Sequence, residues 1–387
     1  MKLDFPYFAV SCLRTLENNG FEAWFVGGSV RDCLLGRDFY DIDIATSALP
    51  DEVEAVFPHT VPTGKKHGTI TVLMDKEPIE VTTYRSDADY IDGRHPDCVT
   101  FKKDIAEDLS RRDFTVNAFA YNPKRGLLDL FGGRTDLEKR IIKAVGDAET
   151  RFNEDALRIL RAFRFASVLE FLIEENTIKA AYICGENLSK LSGERVLSEL
   201  SRLAEGKNPA IIADFVGSGY LKSFGVGQNI YNIDKILPLR DRYKAAAFFS
   251  CFEINEELFE KSLKPDKKLL SDIKLFASFK NEEIPSDKTG LKKIFNRYGN
   301  EEAYIEFVRF VAGNEYADKI EAMYNEIILN SEPYLIRHLA LNGNDLLKAG
   351  FFGEEIGQKL SELTSLVIED PAKNDKNTLI DYLKANM

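Results

Sequence analysis

Residues 25–45 read Phe-Val-Gly-Gly-Ser-Val-Arg-Asp-Cys-Leu-Leu-Gly-Arg-Asp-Phe-Tyr-Asp-Ile-Asp-Ile-Ala, and no other stretch constrains the fold as strongly. The apolar lead-in, Ala23, Trp24, Phe25 and Val26, has the pattern of a buried strand, and Gly27-Gly28 marks a turn. Helix formers fill residues 30–35, and residues 40–44 alternate as a second strand. The order is therefore strand, glycine turn, short helix, strand. Two residues apart on one strand, Asp41 and Asp43 project from the same face and repel unless a cation lies between them. Gly27 and Gly28, bare of side chains at a helix start, let the backbone approach an anionic phosphate, with Arg31 close behind. Together they suggest Mg²⁺ and a nucleoside triphosphate. Each half alone is commonplace: Gly-Gly turns abound, and an Asp-x-Asp on a strand edge is usually a solvated pair.

The joint spacing, Gly-Gly-x-Val-Arg-Asp followed by Asp-x-Asp on the next strand, is more specific. It resembles the first motif of the nucleotidyltransferase superfamily that includes tRNA CCA-adding enzymes and bacterial poly(A) polymerases. Neither a Walker loop nor a Gly-x-Gly-x-x-Gly fingerprint occurs in the chain. Further motifs follow in order. Residues 107–118, Glu-Asp-Leu-Ser-Arg-Arg-Asp-Phe-Thr-Val-Asn-Ala, match the family's Arg-Arg-Asp-Phe-Thr-x-Asn-Ala segment. By resemblance, that segment binds the sugar and triphosphate of the incoming nucleotide, through Arg112. A third motif surrounds Val145-Gly146-Asp147. Residues 151–165 read as one helix with Asn153 as N-cap, and Leu157, Leu160 and Phe163 form its buried side. Asp155 and Arg158 would then lie one turn apart, an acceptor and a donor facing the same space. An intrahelical salt bridge is the commoner use of that spacing. The resemblance instead implies a nucleotide-base template, with Asp155, Arg158, Arg161 and Arg164 along the base and phosphate side and Gly28 and Arg31 at the triphosphate. Residues 192–200, with Glu194 and Arg195, resemble the next motif, which braces the neck.

At 387 residues the chain exceeds what one core usually serves. The expected class is α+β: an N-terminal nucleotidyltransferase palm, a small mixed sheet with helices on one side, followed by an all-α C-terminal region. The expected divisions are a head over 1–145, a helical neck over 146–205 carrying the base template, and a body and tail over 206–387 that bind tRNA. Strands over 69–74 and 78–84 put Glu80 beside Asp41 and Asp43 as a candidate third carboxylate. The polar stretch 85–101, with Asp92, Arg94 and Pro96, is long for a connection and suggests a functional loop.

A net charge of −12 argues against non-specific coating of nucleic acid. Residues 102–164 nevertheless hold 14 Lys/Arg against 11 Asp/Glu, a locally basic middle in an acidic chain. Five scattered cysteines without C-x-x-C spacing indicate neither zinc nor a disulfide framework. No apolar run reaches membrane-spanning length and the N-terminus lacks a signal-peptide pattern, so the cytoplasm is the expected location. With four histidines and no His-Asp pair, an appended metal-dependent phosphohydrolase domain is not expected.

The resemblance covers the first 200 residues through all its motifs, and more weakly the last third, where residues 339–347 resemble a tail segment. It is to the class II bacterial CCA-adding enzymes. It implies template-independent addition of CCA to the 3′ end of tRNA from CTP and ATP. Asp41 and Asp43 would be both the catalytic residues and the Mg²⁺ ligands, for in-line attack on the α-phosphate. Addition of CC only or A only, polyadenylation, and an RNA-binding relative without catalysis stay open as alternatives. No protein partner is implied.

Overall fold

The computed structural model describes residues 2–39, 41–87, 99–102 and 104–385. The core of the loop expected over residues 85–101, including Asp92, Arg94 and Pro96, lies outside the described residues. The chain divides into two compact units, Met1–Asn229 with Ile254–Lys264, and Ile230–Glu253 with Pro265–Met387.

In the first unit, helix α1 (Tyr7–Asn18) ends where Gly20 takes a φ of 88°, and the chain enters strand β1 (Ala23–Val26). All four residues of β1 are buried, as a continuous apolar run demands. Gly27 then turns the chain into α2 (Gly28–Leu34), and β2 (Asp43–Thr46) returns antiparallel to β1. Helix α3 (Pro50–Val56) leads to β3 (Thr60–Gly64), β4 (Thr69–Met74) and β5 (Glu77–Thr83). Next come the short antiparallel pair β6 (Arg85–Asp87) and β7 (Val99–Phe101), helix α4 (Ile105–Ser110), β8 (Phe119–Asn122) and β9 (Gly126–Asp129).

Seven of these strands make one mixed sheet in the order β3-β4-β5-β2-β1-β8-β9. Only the β2–β5 pair within it is parallel, with Asp43 opposite Glu80. Trp24, Val26, Ala45 and Ala120 pack under Ile105 and Leu109 of α4. Phe25, on the alternate face, stacks on Phe5 at 4.0 Å, and the Phe5 ring also lies 5.9 Å from that of Tyr121. The central strands are thus covered on both faces, more fully than helices on one side would do.

Two local expectations are corrected. The strand expected over 40–44 is β2 and starts only at Asp43, because its partner β1 ends at Val26, opposite Asp43, where the Gly27 turn begins. Asp41 therefore precedes the strand instead of sharing its face. The helix expected over 151–165 is two helices, α6 (Ala148–Glu154) and α7 (Leu157–Leu169), after α5 (Gly133–Lys139). The N-cap of α6 is Asp147, whose carboxylate accepts from Thr150 N–H at 2.8 Å, not Asn153. Between the helices Asp155 is extended (φ −145°, ψ 103°), and its Oδ1 accepts the Leu157 N–H at 3.0 Å, so the side chain itself opens the next helix. Helices α8 (Glu175–Cys184) and α9 (Gly193–Ala204) follow, and α7 packs on α9.

The second unit is mostly helical. Asp266, Asp287 and Asn300 cap successive helices by accepting N–H bonds from Leu269, Gly290 and Ala303. Its core is aromatic: Phe279 lies 5.0–5.4 Å from Tyr298, Tyr304 and Phe307. Leu346, Leu363, Val367 and Leu379 form a separate small core near the C-terminus.

Candidate active site

A cleft of about 610 Å³ opens in the first unit at the head of β1 and β2. Its walls carry seven arginines, at 31, 85, 111, 112, 158, 161 and 195, against three aspartates, at 43, 113 and 155. That excess suits a polyanion.

At one end, Asp43 begins β2 with Val26 opposite on one side and Glu80 on the other. The Glu80 N–H also bonds the Ile42 carbonyl at 3.2 Å. Burial pushes the Asp43 carboxyl up to about 6; Arg112 pulls it down, while Glu80 and Asp41 raise it further. Asp41 is exposed and does not line the cleft. Among the described residues no group of three or more His, Cys, Asp or Glu side chains converges on a metal position, although Glu80 pairs in register with Asp43. Gly27 is required twice over. Its φ is 71°, and a Cβ there would lie 2.9 Å from Arg112 Nη1 and 3.7 Å from Asp43 Oδ2.

The other end is a network of matched charges. Asp108, buried below the cleft, accepts from Arg111 Nη2 at 2.8 Å and Arg112 Nη2 at 3.3 Å. Asp113 Oδ2 accepts from Arg161 Nε at 2.8 Å and Nη2 at 2.6 Å, while its Oδ1 accepts from Phe114 N–H and Asn117 Nδ2. Burial would raise the Asp113 carboxyl, but Arg161 and these hydrogen bonds bring it down to about 2. Arg31 Nη1 donates to Asn117 Oδ1 at 2.6 Å, and its Nε and Nη2 bind the two oxygens of Asp32 at 3.0 and 2.7 Å.

Asp155 and Arg158 both line the cleft, and although the Arg158 N–H bonds the Asp155 carbonyl at 3.0 Å, their side chains take different partners. Asp155 Oδ2 accepts from Arg195 Nη2 at 2.7 Å. Arg158 Nη1 donates to Glu154 Oε2 at 2.6 Å and to the Arg151 carbonyl at 3.1 Å, and its Nη2 donates to the Arg111 carbonyl at 2.9 Å. The intrahelical Asp155–Arg158 bridge is ruled out because the helix breaks between them. Of the residues expected at the site, Gly28, Arg31, Asp43, Arg112, Asp155, Arg158 and Arg161 line the cleft; Arg164 does not. Arg164 Nε sits 2.7 Å from Glu199 Oε2, and burial lowers its guanidinium to about 10 against the pull of Glu199.

Several lining residues were not singled out by sequence. Asp113 and Asn117 lie inside the Arg-Arg-Asp-Phe-Thr-x-Asn-Ala segment, so motif membership could have flagged them, and Arg195, expected to brace the neck, also lines the cleft. Nothing in the sequence marks His67, which reaches the cleft from the turn before β4, and Arg85, in β6, is marked only as the first residue of the polar stretch 85–101.

Residues 23–143 match the family described as the Poly A polymerase head domain. The CCA-adding enzyme of Geobacillus sp. strain WCH70 is 35% identical over 97% of this chain and 96% of its own length. That of Staphylococcus aureus strain Newman is 43% identical over 71% of this chain and 68% of its own length. Among solved structures, the Bacillus stearothermophilus CCA-adding enzyme in complex with CTP superposes with a TM-score of 0.79 at 28% identity, covering 98% of this chain and 96% of that one. Sequence similarity along nearly the whole length, on a shared fold, decides the family: the chain belongs to the CCA-adding enzymes.

Proposed function

We propose that the cleft is the nucleotidyl-transfer site, with Asp41 and Asp43 holding divalent cations at its acidic end and the arginines receiving the nucleotide. As a CCA-adding enzyme the chain is a tRNA nucleotidyltransferase that extends the 3′ end of tRNA with C, C and A from CTP and ATP. One observation carries the assignment of the site: a cleft walled by arginine has at its end a carboxylate that burial and neighbouring acids hold near pKa 6. A cation placed there would relieve both penalties, and an oxygen-only donor set suits Mg²⁺, which binds through one or two carboxylates together with substrate phosphates. Bound Mg²⁺ would supply charge neutralisation at the triphosphate and a lowered pKa for the primer 3′-hydroxyl.

The protein's own groups do the rest. Asp43, fixed by strand pairing on both sides, keeps its carboxylate at the cleft while Arg112 limits its repulsion with Asp41 and Glu80. Arg31, Arg112 and Arg161 stand ready for the anionic nucleotide, each already anchored by Asp32, Asp108 or Asp113. Gly28 leaves the backbone bare beside them. Asp155 and Arg158 select the base. Cytosine and adenine each offer an amino donor beside a ring-nitrogen acceptor, which one carboxylate and one guanidinium can satisfy, whereas uracil and guanine reverse the order. The leaving group is pyrophosphate, and no covalent enzyme intermediate is needed. Arg164, tied to Glu199 away from the cleft, supports the wall instead of touching the nucleotide. Transcripts of tRNA ending at the discriminator base, at C and at CC, each offered one labelled nucleotide, test the reading. Incorporation of C, C and A in turn is expected, and a product stopping at CC, or A added to CC with no C added to the shorter transcripts, would assign a partial activity.

A further inference from the structure

Phe165 stands where three guanidinium groups meet. The Cζ atoms of Arg164, Arg31 and Arg161 lie 4.1, 5.2 and 5.3 Å from its ring centroid. The ring is buried, lines the cleft, and sits edge-on to Phe114 at 5.9 Å and 81°. Arg31 comes from α2 and Arg161 from α7, so the ring touches two cleft arginines from opposite parts of the unit. The same two arginines are linked a second way. Arg31 donates to Asn117 at 2.6 Å, Asn117 donates to Asp113 at 3.1 Å, and Asp113 accepts from Arg161 at 2.6 Å. Hydrogen bonds hold one side of the pair and an aromatic face holds the other.

Gathering three like charges around one side chain is unfavourable unless something attracts them. Asp32, Asp113 and Glu199 supply part of that attraction, and the negative face of the ring supplies more. Long arginine side chains otherwise lose rotamer freedom when a ligand orders them, which weakens binding. We propose that Phe165 is a positioning residue for nucleotide binding, whose ring holds Arg31 and Arg161 at the cleft before CTP or ATP arrives. This rests on the reading that Arg31 and Arg161 face the nucleotide. The device acts on ordering alone, so it favours both nucleotides alike and leaves the chemical step and base choice untouched.

Site-specific replacement of Phe165 by 4-fluoro-, 3,5-difluoro- and pentafluorophenylalanine keeps its shape nearly constant while draining the negative face of the ring. The KM for CTP and ATP should rise stepwise together to about fivefold to tenfold, with kcat within about twofold and the protein still folded at the assay temperature. F165L should show the same KM rise and F165Y should stay near wild type. A flat KM across the fluorinated series, a fall in kcat at constant KM, or a rise for only one nucleotide would overturn the proposal. R31Q and R161Q are measured alongside. If neither raises KM, the nucleotide reading fails and takes this inference with it; if both raise it while the fluorinated series stays flat, the role of Phe165 alone falls.

Discussion

The two ends of the cleft use the same side chain in opposite ways. At the acidic end Asp43 is pushed up to about 6 by burial and by two neighbouring carboxylates, with Arg112 as its counterweight. At the basic end Asp113 is more deeply buried, yet a two-bonded arginine, an amide and a backbone N–H bring it down to about 2. Burial alone is therefore not what distinguishes them; the supply of donors is. A carboxylate matched by its own protein is structural scaffolding, and one left under-matched at a cleft marks where a charge from outside is to be received.

The sharpest way to break this contrast is to remove the proposed metal ligands. Asp41→Ala and Asp43→Ala should each lower nucleotide incorporation by about a thousandfold or more while leaving the protein folded. Near-normal turnover of either with Mg²⁺ would end the metal assignment. The converse experiment is Asp113→Ala, which strands Arg161 and should destabilise the first unit by about 3–5 kcal/mol. Because the folded pKa of Asp113 lies below its ordinary value, its contribution is present above about pH 4 and fades as pH falls toward 2. Acid unfolding of wild type and variant should accordingly converge near pH 2, and parallel curves would reject the linkage.

A smaller effect concerns the base. Asp155→Ala and Arg158→Ala should raise the kcat/KM for UTP or GTP relative to CTP and ATP by roughly tenfold to a hundredfold, about 1–3 kcal/mol. Since Arg195 holds Asp155, Arg195→Ala should move the same ratio in the same direction, and by less. Unchanged ratios in all three would remove the template role. Subtlest is Asp43→Asn without divalent metal. Here the folded pKa is raised, so ionisation weighs against folding above about pH 6 and the penalty vanishes below about pH 4. The variant should gain about 1–2 kcal/mol at pH 8 and nothing at pH 4. Adding Mg²⁺ should stabilise only the wild type, and equal Tm values for both proteins at pH 8 in chelator would count against an under-matched Asp43.

Much of this was legible in the chain. Strand β1, the Gly27 turn and α2 are set by local apolar pattern and by a φ that only glycine adopts readily, so short windows suffice to find them. Motif membership grouped Arg31, Arg112, Arg158 and Arg161, which the fold brings to one cleft. Partnerships were not legible. Asp155 and Arg158 have the spacing of a helical pair, but a carboxylate that can serve its own backbone N–H two residues on competes with the helix, and here it wins because Arg195 waits for its other oxygen. Glu80 was found beside Asp43 because strand register follows the alternation of buried residues in β5.

By itself the sequence determined which residues carry charge, where the backbone must bend and which strands are buried, because these depend on neighbours within a few positions. Only the tertiary structure decided which charges are satisfied. Asp113 meets Arg161 across 48 positions, Arg31 meets Asn117 across 86, and Asp155 meets Arg195 across 40. A carboxylate's pKa depends on burial and on the donors within hydrogen-bonding reach, and both quantities exist only once distant segments have been brought together.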